Sequence, residues 1–204
     1  MDRIVHWKGT DEWRAEAAEV ELTEDGVAAR GVQLGVDPTP YRLEYELDAA
    51  DGWITRSLGV SVRGAGWSRR LWLRRAAEGA WSVEVEANGA AGLAAPGGPA
   101  GELDGALDCD LGFSPLTNLM PIRRGRLHEG PGTTDHVMAW VSVPDLEVFA
   151  SAQRYEHVGR SGGGSVVRFV DRGRFEGFTA ELRLDGDGLA VEYPGLARMV
   201  GAVA

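Results

Sequence analysis

This sequence has a single cysteine, Cys109, so an internal disulfide and a cysteine-built zinc site are both excluded. Basic charge is scarce: 21 Lys and Arg stand against 31 Asp and Glu, for a net charge of −10. That balance argues against nucleic acid, whose binding replaces counterions with Lys and Arg. It also argues against docking on anionic lipid through charge, though not against lipid as a ligand held inside. No apolar run approaches the roughly 20 residues of a membrane helix, so no stable membrane anchor is expected. The opening MDRIVHWKG lacks the apolar core of a secretory signal. The chain reads as soluble and cytoplasmic. His6, His128, His136 and His157 are scattered, and no Ser-His-Asp or His-Glu-X-X-His pattern is legible. Catalytic residues, metal ligands and cofactors are therefore expected to be none.

Length and composition are ordinary: 204 residues, 44% hydrophobic and 25% charged. No clean boundary divides the chain, which predicts one domain over residues 1–204. Strands show as period-two alternation broken by turn residues. Val20 and Leu22 alternate with Glu19 and Glu21 before Asp25-Gly26. Tyr41, Leu43, Tyr45 and Leu47 share one face before Asp51-Gly52, and Leu182 and Leu184 share one before Asp187-Gly188. Asp-Gly suits hairpins because both residues tolerate positive φ. The three units share a hairpin grammar. Further strands are expected at Arg70–Arg74, Trp81–Glu86, His136–Val143, Leu146–His157 and Val166–Val170. Asn88–Gly101, rich in Gly, Ala and Pro, reads as a surface connection. Ser161–Ser165 reads as a flexible hairpin tip, since it lacks the Gly-Lys-Ser/Thr ending of a phosphate loop. The fold class is mainly β (α+β by count), a many-stranded curved antiparallel sheet or open barrel.

Residues 107 to 124, LDCDLGFSPLTNLMPIRR, are the exception. Ser114-Pro115 is a good helix start, and Pro121 predicts a helix that is short or kinked there. A weaker helix is conceivable at Thr10–Glu19. Leu107, Cys109 and Leu111 alternate with Asp108 and Asp110, so the aspartates share a face that is either solvent or the wall of a polar cavity. If the chain folds back, the two acids, the helix start and Arg123-Arg124 converge. Two carboxylates without nearby His are poor metal ligands, and their spacing is not that of an EF-hand. They could serve as a glycosidase pair, which needs a set separation across a sugar. Adjacent arginines on a strand point to opposite faces, so at most one serves a given site. Arg suits carboxylate or phosphate.

Seven tryptophans supply bulk to the core and could stack on a sugar. Gln153 and Tyr155 share a strand face, away from Arg154. Glu192-Tyr193 ends the last clear strand. The polar contacts singled out for a ligand are Asp108, Asp110, Asn118, Arg123 and Tyr155.

The chain resembles a bacterial glycolipid-binding family long filed as a domain of unknown function. The resemblance rests on Asp108-Cys109-Asp110-Leu111, Ser114-Pro115-Leu116-Thr117-Asn118 and Pro121-Ile122-Arg123-Arg124. It extends to Gln153-Arg154-Tyr155 and to Asp187-Gly188-Leu189 through Tyr193-Pro194-Gly195, almost the whole chain. It implies a sheet wrapped around one helix, distantly similar to the lipoprotein-localisation carriers. It also implies a homodimer, an acidic pocket and a role in glycolipid or membrane-lipid metabolism. Those carriers are exported, whereas this sequence shows no export signal. The function expected is non-enzymatic binding of an amphipathic ligand, such as a glycolipid. Acids would favour an uncharged or amino-sugar head, and an inward Arg123 would admit an anionic one. The alternatives are a hydrolase of glycosyl or lipid bonds with Asp108 and Asp110 as acid and base, and a structural protein with a tryptophan-rich dimer face.

Overall fold

The computed structural model describes residues 2–89 and 92–203, without the side chains of 202 and 203. The expected connection Asn88–Gly101 includes residues 90 and 91, which lie outside the described residues. Fourteen strands form one curved, unclosed sheet in the order β7-β6-β5-β4-β3-β2-β1-β14-β13-β12-β11-β10-β9-β8. The first arm comprises β1 (Asp2–Gly9), β2 (Arg14–Leu22), β3 (Val27–Gly35), β4 (Tyr41–Ala50), β5 (Ile54–Gly64), β6 (Trp67–Arg75) and β7 (Trp81–Asn88). The second comprises β8 (Asp108–Leu111), β9 (Thr133–Val141), β10 (Val148–Ser161), β11 (Gly164–Asp171), β12 (Thr179–Leu184), β13 (Ala190–Tyr193) and β14 (Ala197–Val203). β14 pairs with β1 and joins the arms.

Consecutive strands are antiparallel because short turns join them. Asp51, Gly52 and Trp53 all take positive φ between β4 and β5. The exception is β8, which pairs parallel with β9. That pairing needs a crossover, supplied by the helical segment between them. A 3₁₀ turn, Pro115–Asn118, runs into helix α1, Leu119–Arg124. Pro121 thus lies inside the first turn of α1, where its missing N–H leaves no bond unmade. α1 is accordingly the short helix that Pro121 predicts, six residues long. Thr10–Glu19 is not a helix: residues 10–13 are a loop, and Arg14–Glu19 belong to β2.

Segment 112–124 fills the trough of the sheet. Leu116, Leu119 and Met120 pack on the inner face of the first arm, with Leu43, Leu58, Leu71 and Leu73. Ile122 packs on the second, with Val167, Phe169, Leu182 and Leu184. Each fully buried aliphatic side chain contributes roughly 1.5–3 kcal/mol. Two glycines on β3 make room for rings on β4. A Cβ on Gly31 would stand 2.2 Å from the Tyr45 ring, and one on Gly35 would stand 2.4 Å from that of Tyr41.

The two edge strands, β7 and β8, do not pair with each other. The Thr55 N–H on β5 donates to the Leu107 carbonyl at 3.1 Å, and the Cys109 N–H donates to Thr55 Oγ1 at 3.1 Å. Trp81 on β7 donates its indole N–H to the Ala106 carbonyl at 3.0 Å. The connection after β7 therefore covers the gap.

Candidate functional site

Asp108 and Asp110 share the inner face, as period two requires, but their surroundings differ. Asp108 is sealed off. Arg124 reaches back from the end of α1 and grips both its oxygens, at 2.9 Å and 2.5 Å. The same guanidinium donates to the Trp53 carbonyl at 2.9 Å and lies 3.1 Å from His136 Nδ1. Burial raises the Asp108 carboxyl above its usual range, and the Arg124 fork pulls against that rise. Burial and the Arg124 charge push His136 down to about 4, so its ring is neutral. This constellation ties β8, α1 and β9 together.

Asp110 keeps some accessible surface. Thr117 donates to one of its oxygens at 2.8 Å and the Gln153 amide to the other at 2.6 Å. Gln153 Oε1 lies 2.9 Å from the Tyr155 hydroxyl, which also lies 3.0 Å from Asn118 Oδ1 and has one proton to give. Burial pushes Asp110 up to about 6, against the pull of its two donors. Asp110, Asn118 and Tyr155 are thus brought together through Gln153, which the sequence offered only as a strand neighbour of Tyr155.

Arg123 lies apart from them. On a helix, adjacent side chains diverge, and Arg123 turns toward the far end of the sheet. Its guanidinium sits 4.6 Å from the Trp53 ring centroid, 3.1 Å from His128 Nε2 and 3.3 Å from the Asp187 carbonyl. The expected strand placement of Arg123-Arg124 is corrected, since both lie in α1.

A third buried acid escaped the sequence reading. Glu16 faces inward from β2 and accepts from Tyr45 at 2.6 Å, Ser114 at 2.7 Å and Gln33 at 3.3 Å. Burial pushes it up to about 7, against those three donors. Ser114, expected to cap the helix, makes no cap and holds Glu16 instead. The signal was present: Glu16 falls on the period of Ala18, Val20 and Leu22.

Beside Asp110 the inner face becomes aromatic. Trp140 is its register partner on β9, and Trp140 pairs in turn with Phe149 on β10. Their rings are 4.7 Å apart, with Phe175 at 5.4 Å from Trp140. Asp171, opposite Gln153 on β11, accepts from Ser151 at 3.4 Å. The outcome is a polar cluster of Asp110, Gln153, Ser151 and Asp171, the last three buried, beside the rings at the β9–β10 turn. Two open depressions, of about 700 and 620 Å³, lie on the opposite, outer wall of the first arm, among Glu19, Arg30 and Glu46. Among the described residues no group of three or more His, Cys, Asp or Glu is placed to hold a metal. No helix among them is long and apolar enough to cross a membrane.

Residues 4–199 match the family described as "Putative glycolipid-binding". The chain belongs to that family. A DUF1089-family protein from Pseudomonas aeruginosa, solved at 1.80 Å resolution, has a similar fold. The TM-score is 0.66 at 24% identity, over 94% of each chain. No curated protein matches. The mostly β architecture expected from the sequence is the one observed. The hydrolase alternative finds no support, because Asp108 is locked on Arg124 and does not face Asp110 across a cleft.

Proposed function

We propose that the protein binds an amphipathic, sugar-bearing lipid without transforming it, and that the recess at Asp110 receives the head group. The observation that carries this reading is the position of Asp110. It is a partly accessible carboxylate held by Thr117 and Gln153 at the edge of the Trp140–Phe149 pair. Carboxylates accept strongly from hydroxyls, and a ring face suits the apolar side of a sugar. In this reading Asn118 and Tyr155 fix Gln153 from behind. Asp108 fixes the position of α1 through Arg124. Arg123 contributes at the opposite end, where an anionic group could meet it. The family description supports the ligand class. The reading includes a homodimer, a single domain and a cytoplasmic location.

Titration with octyl β-glucoside below its micelle threshold, followed by tryptophan fluorescence, tests the site. Saturable binding is expected, weakened roughly tenfold or more in Asp110→Asn with the fold intact. Equal binding by both proteins, or none by either, would contradict the assignment.

A further inference from the structure

Two buried side chains of the first arm hold polar atoms that make no hydrogen bond among the described residues: the Tyr41 hydroxyl and Gln33 Oε1. Tyr41 is 5% exposed and Gln33 3%. Both line one niche at the end of the trough, with Trp7, Glu16, Phe113 and Leu196 around it. A polar atom taken out of water forfeits the bonds it made there, so native interiors rarely leave one unpaired. Two on the same niche point to a common partner.

The sequence of β3 explains how they come to stand there. Gly35 leaves room for the Tyr41 ring: a Cβ on it would stand 2.6 Å from the hydroxyl. Gly31 does the same for Tyr45, whose hydroxyl then finds Glu16 at 2.6 Å. Tyr41 repeats the setting without the acceptor. Burial raises its hydroxyl to about 12, with Arg14 pulling down and Glu16 pushing up, so the proton stays on. Gln33 lies between the two glycines on the same face. Its amide nitrogen is 3.3 Å from Glu16 Oε2 and 3.4 Å from the Gly112 carbonyl. Two acceptors on that side leave Oε1 as the free end.

The niche therefore presents one O–H donor and one carbonyl acceptor. A single hydroxyl group meets both, accepting from Tyr41 and donating to Gln33. A carboxylate or phosphate oxygen has no proton for Gln33, and an ammonium has no lone pair for Tyr41. Charges of both signs stand around it and favour neither an anion nor a cation. Lys8, Arg14 and Glu16 are in the lining, and Asp11 and Glu12 are in the loop between β1 and β2. The volume of about 10 Å³ admits one oxygen-sized group. The rest of a ligand stays outside, where Phe113 is 37% exposed and Arg14 stands 4.2 Å from its ring centroid.

We propose that this niche is a second binding site, taking one hydroxyl of an uncharged sugar between Tyr41 and Gln33. The exposed part of Phe113 meets the apolar side of the sugar. Segment 112–118 separates the niche from Asp110: Ser114 holds Glu16 on one side, and Thr117 holds Asp110 on the other. The second site stands on its own atoms and does not need the Asp110 assignment.

Titration of the full chain with methyl β-glucoside, followed by proton–nitrogen NMR, tests the proposal. Saturable shifts are expected at the Gln33 side-chain amide and the Trp7 indole N–H. Tyr41→Phe should weaken that binding roughly fivefold to tenfold, the loss of one hydrogen bond. It should melt no lower than wild type, because the hydroxyl it removes has no protein partner. A binding loss accompanied by lower melting would make Tyr41 structural and overturn its role. No saturable shift at Gln33 and Trp7 would mean that the niche holds only water, and the site would fall. Equal affinity in wild type and Tyr41→Phe would overturn it too. Shifts confined to the Gln153 side-chain amide would place the sugar at Asp110 alone, so that reading would survive and the second site would not. Shifts at Gln33 without any at Gln153 would do the reverse.

Discussion

Glu16 makes the sharpest claim about energetics. Its carboxyl is enclosed by β2, β3, β4 and Ser114, and folding raises it from an ordinary 4.5 to about 7. A carboxyl raised on folding holds its proton more tightly in the folded state. Its contribution to stability is therefore full below pH 4.5 and is lost as pH rises through about 7. A shift of that size corresponds to about 3 kcal/mol. His136, pushed down to about 4, works in the opposite sense below its ordinary 6.5, so the wild-type curve alone is not diagnostic. The difference from Glu16→Gln is. Glutamine keeps an oxygen for Tyr45 and Ser114 and has no proton to lose. Urea denaturation at pH 5 and pH 8.5 should show Glu16→Gln gaining on wild type by about 2.5 kcal/mol between the two conditions. Parallel pH profiles for the two proteins would refute the reasoning, because a solvated Glu16 would give that result.

Other expectations follow from packing and pairing. Arg124→Ala leaves Asp108 buried and unpaired, and chemical denaturation should show a loss of about 3–5 kcal/mol. Asp108→Asn with Arg124→Met, which removes both charges, should recover part of that loss. Gly31→Ala drives a methyl into the Tyr45 ring, and thermal melting should report a loss of about 1–3 kcal/mol. Burial raises the Cys109 thiol well above its ordinary range, so a thiol reagent should label it only as the protein unfolds. Thr55→Val removes the hydroxyl that meets the Cys109 N–H and should speed that labelling.

The sheet was legible because its signals are local. Alternation fixed the inner row Tyr41, Leu43, Tyr45 and Leu47, and Asp-Gly turned the chain after β2 and β4. The contact of Thr55 with Cys109 across the open side of the sheet was not legible, since they are far apart in sequence and neither residue type announces a partner. The helix survived Pro121 because a 3₁₀ turn precedes it and leaves the proline in a first turn. The site was half legible. Period two put Asp108 and Asp110 on one face, but which of them is sealed depends on where α1 aims Arg124. Gln153 was legible only as sharing a strand face with Tyr155, and Glu16 was obscured because Thr10–Glu19 also suited a weak helix.

The most direct test of head-group binding at Asp110 is native mass spectrometry of the wild-type protein and Asp110→Asn, with organic extraction of whatever co-purifies. The account predicts a sugar-bearing lipid on the wild type, largely absent from the variant, with both proteins folded. The same lipid at the same occupancy on both would contradict it.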